Sequence, residues 1–262
     1  MQLAGSRPAG APPDVQARRP LPGWLGWLEP VREPVRRYGE YVLGGATLVG
    51  VLLTIWAAFI YAPTDVLTND NQRIFYVHVP MAWLAYLAFF MVFVASIGYL
   101  WRKDERWDLL ARASAEVGVI FTTLVLITGS LWGRPIWGTW WAWDARLTTT
   151  LIMWFIYVGY LLLRSYTGRS ASGARSAAVL GIIGFVDIPI VHLSVTWWNT
   201  LHPQPIVAVG TAKPNLPPEM LTALFIALVT FTLLYAFLLL QAYRLQKMQS
   251  AVQRLRARVE LE

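Results

Sequence analysis

The chain has 262 residues, of which 56% are apolar and only 14% are charged. An ordinary soluble domain carries about 25% charged residues, so this composition excludes intrinsic disorder for most of the chain and argues against a soluble enzyme. A net charge of +7 would suggest nucleic acid as the partner of a soluble protein. In an apolar chain it is expected to come from cytoplasmic loops, and we predict no nucleic-acid partner.

The two ends of the chain are polar, and the part between them is built for a membrane. Residues 1–22 are rich in Pro, Ala, Gly and Arg, lack the apolar core of a cleavable signal peptide, and are expected to form a disordered tail. Residues 23–40, with Trp24 and Trp27, are compatible with a short interfacial helix. Residues 41–243 form the predicted membrane domain, and residues 244–262 a polar cytoplasmic tail.

Six apolar segments in this domain predict an all-α, polytopic membrane protein with six transmembrane helices. A helix of about 20 apolar residues crosses the hydrocarbon layer of a membrane. The third and fourth segments are short, and the tryptophan-rich loop between them is expected to extend them. The fifth is interrupted by Asp187. The predicted spans are Tyr41–Tyr61, Val77–Trp101, Val117–Trp132, Leu147–Leu163, Ser176–Val195 and Met220–Tyr243.

The basic residues predict the orientation of these spans. Eighteen of the 22 Lys and Arg residues lie in the N-terminal tail, in the loops after the second and fourth spans, and in the C-terminal tail. Cytoplasmic loops carry the excess of Lys and Arg in membrane proteins. Both termini are therefore predicted to be cytoplasmic, and the loops after the first, third and fifth spans to face outward.

Tryptophans are concentrated on the predicted outward face. Five of the 14 tryptophans lie within residues 132–143, and a further pair follows the fifth span. Tryptophan has the largest flat apolar side chain, so this cluster suits a large planar ligand. An aromatic belt at the membrane interface is the alternative, and it explains five tryptophans in one loop less well. The predicted tryptophan platform consists of Trp132, Trp137, Trp140, Trp141, Trp143, Asp144, Trp197 and Trp198.

The spacing within the loop also suggests a local structure. If the chain is helical from Trp137 onward, four members of the platform share one helix face. Those four are Trp137, Trp140, Trp141 and Asp144.

The chain has three histidines and no cysteine, which limits the kinds of metal site that it can form. The absence of cysteine excludes thiolate sites and covalent heme attachment through a C-x-x-C-H motif. His78 and His192 belong to different spans but lie at similar depth on the outward face, where two neutral imidazoles can bind a heme iron from its two sides. We predict these two as the axial ligands and assign no iron to His202, in the following loop. A zinc site of Asp187, His192 and His202 is the alternative, and it leaves the tryptophans unexplained.

Three arginines on the same face are candidates for binding the two heme propionates. Arginine binds carboxylates through paired hydrogen bonds, and the candidates are Arg73, Arg134 and Arg146. A lipid headgroup or an ion pair within a loop is the alternative for each. Asp187 lies inside a span, where a carboxylate is costly. Either it supports His192 or pairs with a basic group, or it is protonated, hydrogen-bonded and has a packing role.

Four segments resemble one known family. The segment WGTWWAWDARLT, from Trp137 to Thr148, resembles the tryptophan-rich signature of heme-handling proteins in cytochrome c biogenesis. Its ARLT ending is similar to that of heme exporter protein C of the system I maturation machinery. The other three segments are RIFYVHVP from Arg73, TGSLWGRP from Thr128 and PIVHLSVTWWNTLH from Pro189. The similarity covers roughly residues 40–240, and Asp187 and the long N-terminus depart from the family pattern.

The resemblance implies a six-span protein with an outward heme platform and axial ligands at the positions of His78 and His192. Members of the family work with the subunits of an ATP-binding cassette transporter and with a small single-span membrane partner. They load heme onto a periplasmic heme chaperone. We expect the bound group to be heme b.

Taken together, these features predict a non-enzymatic inner-membrane protein that holds heme at the periplasmic face and delivers it to that chaperone. A b-type cytochrome subunit of a membrane redox complex is one alternative, but three histidines on one face cannot supply four ligands for two hemes. A non-heme small-molecule transporter is the other, and no inverted repeat supports it.

Overall fold

The computed structural model describes residues 29–168, 170–198, 200–202 and 216–259, and within these ranges the chain is helical and has no strand. Helices are expected in a membrane because they satisfy their own backbone hydrogen bonds. A π-helical turn at Ala57–Tyr61 and a 3-10 helix at Asp70–Ile74 precede the second α-helix. The α-helices are α1 (Glu29–Trp56), α2 (Phe75–Arg102), α3 (Glu105–Trp137), α4 (Ala145–Thr167), α5 (Ala171–Phe185), α6 (Asp187–Trp197) and α7 (Pro218–Val259).

In the described part of the chain, six helical stretches are long and apolar enough to cross a membrane, which confirms the predicted fold class. α5 and α6 together form the fifth span, and the helix is broken at Val186, beside the Asp187 that interrupts the apolar segment. The six stretches are Tyr38–Tyr61, Asp70–Arg102, Glu105–Trp137, Ala145–Thr167, Ala171–Trp197 and Pro218–Arg256.

The polar ends of the chain are described only in part. The predicted tail 1–22 and residues 23–28 of the predicted interfacial segment lie outside the described residues. From Glu29 the chain is helical, and α1 passes residue 40 without a break. At the other end α7 continues through the polar tail to Val259. The compact unit that carries the site extends from Leu43 onward.

α2 is the central helix and packs against α3, α5 and α7. Glycines allow the close approach: a Cβ atom added at Gly118 would lie 2.5 Å from Cε1 of Phe89, and one added at Gly181 would lie 2.9 Å from Oγ of Ser96. The ring of Phe89 stacks on that of Tyr157 in α4, with centroids 3.6 Å apart. Helices in lipid associate through such close packing, because lipid offers no hydrophobic driving force between them.

α3 begins well before the predicted start of the third span at Val117, because its early polar residues have partners inside the protein. Arg164 of α4 donates to Asp108 of α3 over 2.5 Å, and both side chains are buried. Glu116 accepts a hydrogen bond of 2.6 Å from the amide of Gln246 in α7. These contacts join α3, α4 and α7 at one end of the bundle, which we call the ion-pair end.

The predicted site residues lie at the opposite end. Each span crosses the bundle once, so the loops after the first, third and fifth spans share one end. The described parts of these loops are residues 62–69, 138–144, 198, 200–202 and 216–217. We call this the tryptophan end.

Candidate functional site

His78 lies in the second turn of α2, at the tryptophan end, and is 7% exposed. Its Nδ1 atom is 2.9 Å from the hydroxyl oxygen of Thr128 on α3. That hydroxyl lies 2.7 Å from the carbonyl oxygen of Leu124, to which it donates its one proton. The hydroxyl therefore accepts the Nδ1 proton of His78. A neutral ring in this tautomer keeps its lone pair on Nε2, the atom that a metal ion would bind.

The surroundings of His78 fit a ring held in one orientation. A Cβ atom added at Gly129 would lie 3.2 Å from Cε1 of His78, so α3 passes close to the imidazole. The ring of Trp132 lies on another side, with centroids 5.8 Å apart, and itself contacts the ring of Phe75 at 6.1 Å. The indole Nε1 of Trp132 is buried and has no hydrogen-bond partner among the described residues.

The segment from Trp137 to Asp144 is not a continuous helix, so the condition for a shared helix face is not met. α3 ends at Trp137, and Gly138 has φ of +76°, in the left-handed region that favours glycine. Its N–H donates to the carbonyl of Arg134 over 3.0 Å, which closes the helix end. The next six residues form a loop, and α4 begins at Ala145. The four side chains expected on one helix face therefore lie on a helix end and a loop.

The loop exposes some of its tryptophans and half-buries others. Trp140 is 58% exposed and Trp143 is 76% exposed. Trp137 and Trp141 are half-buried, and the rings of Trp141 and Trp143 meet edge to face at 5.5 Å. Gly133 accommodates the ring of Trp137, which would lie 3.0 Å from a Cβ atom there. The loop therefore forms an aromatic surface in which Trp140 and Trp143 are the exposed side chains.

Asp144 joins the tryptophan-rich loop to the segment that follows the fifth span. It is the N-cap of α4, where one carboxylate oxygen accepts the N–H of Leu147 over 2.8 Å. The other oxygen accepts the N–H of Leu201 over 3.2 Å. The role that the geometry gives Asp144 is therefore to position two loops.

His192 lies on α6 with its side chain exposed, and Arg146 of α4 holds its backbone. Arg146 Nη2 donates to the carbonyl of His192 over 3.2 Å, and Nε donates to the carbonyl of Val191 over 3.3 Å. The adjacent pair Trp197 and Trp198 is exposed, with rings meeting edge to face at 5.8 Å. α6 packs mainly on α4, so the first turn of α4 fixes the position of His192.

His202 belongs to the same cluster. Its Nδ1 atom lies 3.1 Å from Nη1 of Arg146, and its ring centroid is 6.3 Å from that of Trp137. A guanidinium can only donate, so Nδ1 of His202 accepts there. The structure thus brings together Trp137, Arg146, His202 and the backbone of His192.

The other two predicted propionate ligands also have acceptors within the protein. Arg73 donates to Asp70 over 3.0 Å and to the carbonyl of Ala58. Arg134 is exposed and donates to the carbonyl of Gly138. Among the described residues Arg134 makes fewer hydrogen bonds than Arg73 or Arg146, so more of its N–H groups are available to a ligand.

Asp187 is the first residue of α6 and is 9% exposed. Its Oδ2 atom is buried without a hydrogen-bond partner in the described part of the chain, and no hydrogen bond there joins it to His192. The geometry therefore ties Asp187 to the helix break and gives no support to a contact with the imidazole.

Comparison with known proteins identifies the family. The chain matches the model of the family "Heme exporter protein C" over residues 35–258. The chain belongs to the heme exporter protein C family. It is 39% identical over 202 residues to heme exporter protein C of Bradyrhizobium diazoefficiens, covering 77% of this chain and 76% of that protein. For the Haemophilus influenzae heme exporter protein C the identity is 38% over 235 residues, covering 87% and 94%.

A mitochondrial relative extends the comparison to plants. A protein of Marchantia polymorpha named for cytochrome c biosynthesis is 38% identical over 199 residues, covering 74% of this chain and 82% of that protein. As a member of the heme exporter protein C family, the chain is a multi-pass inner-membrane protein of cytochrome c biogenesis, and the resemblance seen in its motifs is confirmed.

Sequence reasoning missed two features of the heme exporter C site. Thr128 and Gly129 lie four and three residues before Trp132, on the α3 face that meets His78. Because they lie about one helical turn before Trp132, the sequence could have indicated that they face the same side of α3 as this tryptophan. The other feature is the positioning of α6 by Arg146, which was considered only as a propionate ligand.

Proposed function

We propose that this member of the heme exporter protein C family binds heme b as its cargo at the periplasmic face and delivers it to a periplasmic heme chaperone. It carries out no catalytic step of its own. His78 and His192 are the axial ligands, and the tryptophan platform contacts the porphyrin. The observation that carries the proposal is the hydrogen bond from His78 to Thr128, because it leaves Nε2 of a buried, neutral imidazole available for iron.

His192 is a suitable second ligand because its side chain is exposed while its backbone is held. The carbonyl of His192 is bound by Arg146, and the same guanidinium contacts His202. Nδ1 of His202 accepts that bond, so a neutral His202 ring carries its proton on Nε2 and has no lone pair left for iron. This arrangement favours His192 over His202 as the partner of His78.

The aromatic surface suits a flat apolar ring system such as a porphyrin. Trp140, Trp143, Trp197 and Trp198 are each more than half exposed, at the same end of the bundle. The buried Nε1 atoms of Trp132 and Trp141 lack acceptors among the described residues, and they are donors that a bound oxygen-bearing group would satisfy. Exposed tryptophans outside the bundle core are also available to a docking protein.

The propionates are assigned to arginines of the same end, with Arg134 as the first candidate. Arg134 is exposed and bonded to a single carbonyl. Arg73 and Arg146 remain candidates, but each would have to exchange a protein acceptor for a propionate oxygen. Their contacts support a positioning role before heme arrives.

The partners in this proposal follow from the family and from charge. The relatives' name, heme exporter, supports assembly with ATP-binding cassette transporter subunits. The small single-span partner rests on the resemblance to the family alone. The excess of basic residues at the ion-pair end and in the terminal tails supports placing the tryptophan end in the periplasm.

A heme spectrum of purified variants tests the ligands. The pyridine hemochrome spectrum of the wild-type protein should be that of heme b. His78→Ala and His192→Ala should each lose the low-spin spectrum, whereas His202→Ala should keep it. Loss of heme in the His202 variant alone would refute the assignment. A protein without heme in any preparation would favour the transporter alternative, and two hemes per chain would favour a redox subunit.

A further inference from the structure

A polar cavity lies at the ion-pair end, on the opposite side of the bundle from the tryptophan platform. Its volume is about 320 Å³, which is in the range of small-ligand sites. It lies between the end of α2, the start of α3, the end of α4 and the polar part of α7. The polar side chains that line it include Lys103, Asp108, Arg112, Arg164, Gln246 and Ser250.

Arg164 is the feature that points to a ligand in this cavity. Its side chain is 3% exposed, and its Nη2 atom donates to Asp108. Its Nε and Nη1 atoms are buried and have no hydrogen-bond partner among the described residues. A buried charged donor without an acceptor is costly. Both atoms can only donate, and the oxygens of a phosphate or carboxylate are the acceptors that a guanidinium binds most strongly.

The charges around the cavity favour an anion. Both carboxylates of the lining are already paired, Asp108 with Arg164 and Glu105 with Arg254 over 3.2 Å. Glu105 also accepts a hydrogen bond of 2.7 Å from Ser250. Lys103 forms no ion pair within the described part of the chain, and its ammonium group lies 5.7 Å from the ring centroid of Tyr99. The remaining donors at the cavity therefore carry net positive charge.

We propose that this cavity binds a phosphate oxyanion that accepts from an unpaired N–H group of Arg164, with Lys103 as a second cation. The phosphate belongs either to a phospholipid headgroup at the membrane surface or to free inorganic phosphate. This site is independent of the heme site, because none of its residues lies at the tryptophan end.

Two measurements on the full-length chain separate the sources. The first is equilibrium dialysis of radiolabelled orthophosphate against delipidated protein in a nonionic detergent. The second is native mass spectrometry of protein released from nanodiscs of phosphatidylcholine with and without phosphatidylglycerol. Saturable phosphate binding without a retained lipid identifies free phosphate as the ligand. A single retained phospholipid that competes with orthophosphate identifies the headgroup. If the protein neither binds orthophosphate nor retains a phospholipid, the proposal is overturned.

Variants assign the binding to the cavity. Arg164→Lys keeps the charge beside Asp108 but loses the guanidinium N–H groups that the bond to Asp108 leaves unpaired, and it should weaken binding at least about tenfold. Lys103→Asn removes an exposed charge from a residue with φ of +54°, a conformation that Asn tolerates, so it should fold normally and bind severalfold more weakly. The matched control is Arg106→Asn, because Arg106 is 80% exposed, pairs with Asp104 and does not line the cavity.

The control and the variants together decide the outcome. Arg106→Asn should bind phosphate or lipid as the wild type does. Equal loss in the control and in Lys103→Asn would show a non-specific surface effect and overturn the proposal. Unchanged binding in both Arg164→Lys and Lys103→Asn would overturn it as well. A double variant, Arg164→Gln with Asp108→Asn, removes both buried charges together and should abolish binding without leaving one charge alone.

Discussion

The hydroxyl of Thr128 offers the most direct test of how the protein prepares His78 for iron. Thr128→Val keeps the shape of the side chain and removes the acceptor for Nδ1 of His78, 2.9 Å away. His78 is 7% exposed, so its N–H would be left without an acceptor in a poorly hydrated place. An unsatisfied buried donor costs about 1–3 kcal/mol.

The expected effect on heme follows from the same contact. Loss of a group that orients a metal-binding histidine lowers metal affinity by about 10- to 100-fold, which corresponds to roughly 1.4–2.8 kcal/mol. Thr128→Ser keeps the hydroxyl and should restore most of the affinity. Thr122→Val is the matched control, because the Thr122 hydroxyl donates to the Gly118 carbonyl over 2.8 Å and no bond to a histidine is present.

The assay is a heme titration of each purified variant in detergent, followed by Soret absorbance and by the low-spin bands of the reduced protein. The order of affinity should be wild type and Thr122→Val, then Thr128→Ser, then Thr128→Val. If Thr128→Val bound heme as tightly as wild type while His78→Ala lost it, His78 would remain a ligand and its proposed orientation by Thr128 would be refuted.

Three further predictions concern the other parts of the site. Gly129→Ala places a methyl group 3.2 Å from Cε1 of His78 and should weaken heme binding severalfold in the same titration, and unchanged affinity would mean that the ring moves freely. Arg146→Gln removes donors to two carbonyls of α6 and should raise amide hydrogen exchange in residues 190–198 by about tenfold or more; unchanged exchange would contradict the positioning role. Trp140→Ala removes a side chain that is 58% exposed and should leave heme bound but reduce heme-loaded chaperone in co-purification, whereas normal chaperone loading with loss of heme would confine this tryptophan to retention.

The span pattern could be predicted because it depends only on local composition. An uncharged segment long enough to cross the membrane forms a transmembrane helix, because a helix satisfies its own backbone hydrogen bonds in lipid. The interruption at Asp187 was visible for the same reason, since a carboxylate inside a span is a local signal. The side of the bundle that carries His78 and the tryptophans follows from counting spans, without any knowledge of their packing.

The details of the site depend on contacts between helices, which the spacing along one helix does not contain. The meeting of Thr128 with His78 depends on the rotation of α3 against α2, which is set in part by Gly118 beneath Phe89. The exact helix end at Gly138 could not be predicted, because tryptophans at helical spacing are also compatible with a helix that continues. A glycine inside such a pattern is compatible with both a helix and a left-handed cap.

The two imidazoles are attached to different pairs of helices. His78 is held by α2 and by Thr128 of α3, whereas the His192 segment is held by Arg146 of α4 and is separated from α5 by the break at Val186. The distance between the two imidazoles therefore depends on how α4 and α6 are placed relative to α2 and α3. Five helical residues, about 7.5 Å of rise, separate Asp187 from His192. A tilt of α4 and α6 by about 15° would move this histidine by about 2 Å, the length of a metal–nitrogen bond, with the Thr128 and Arg146 contacts intact.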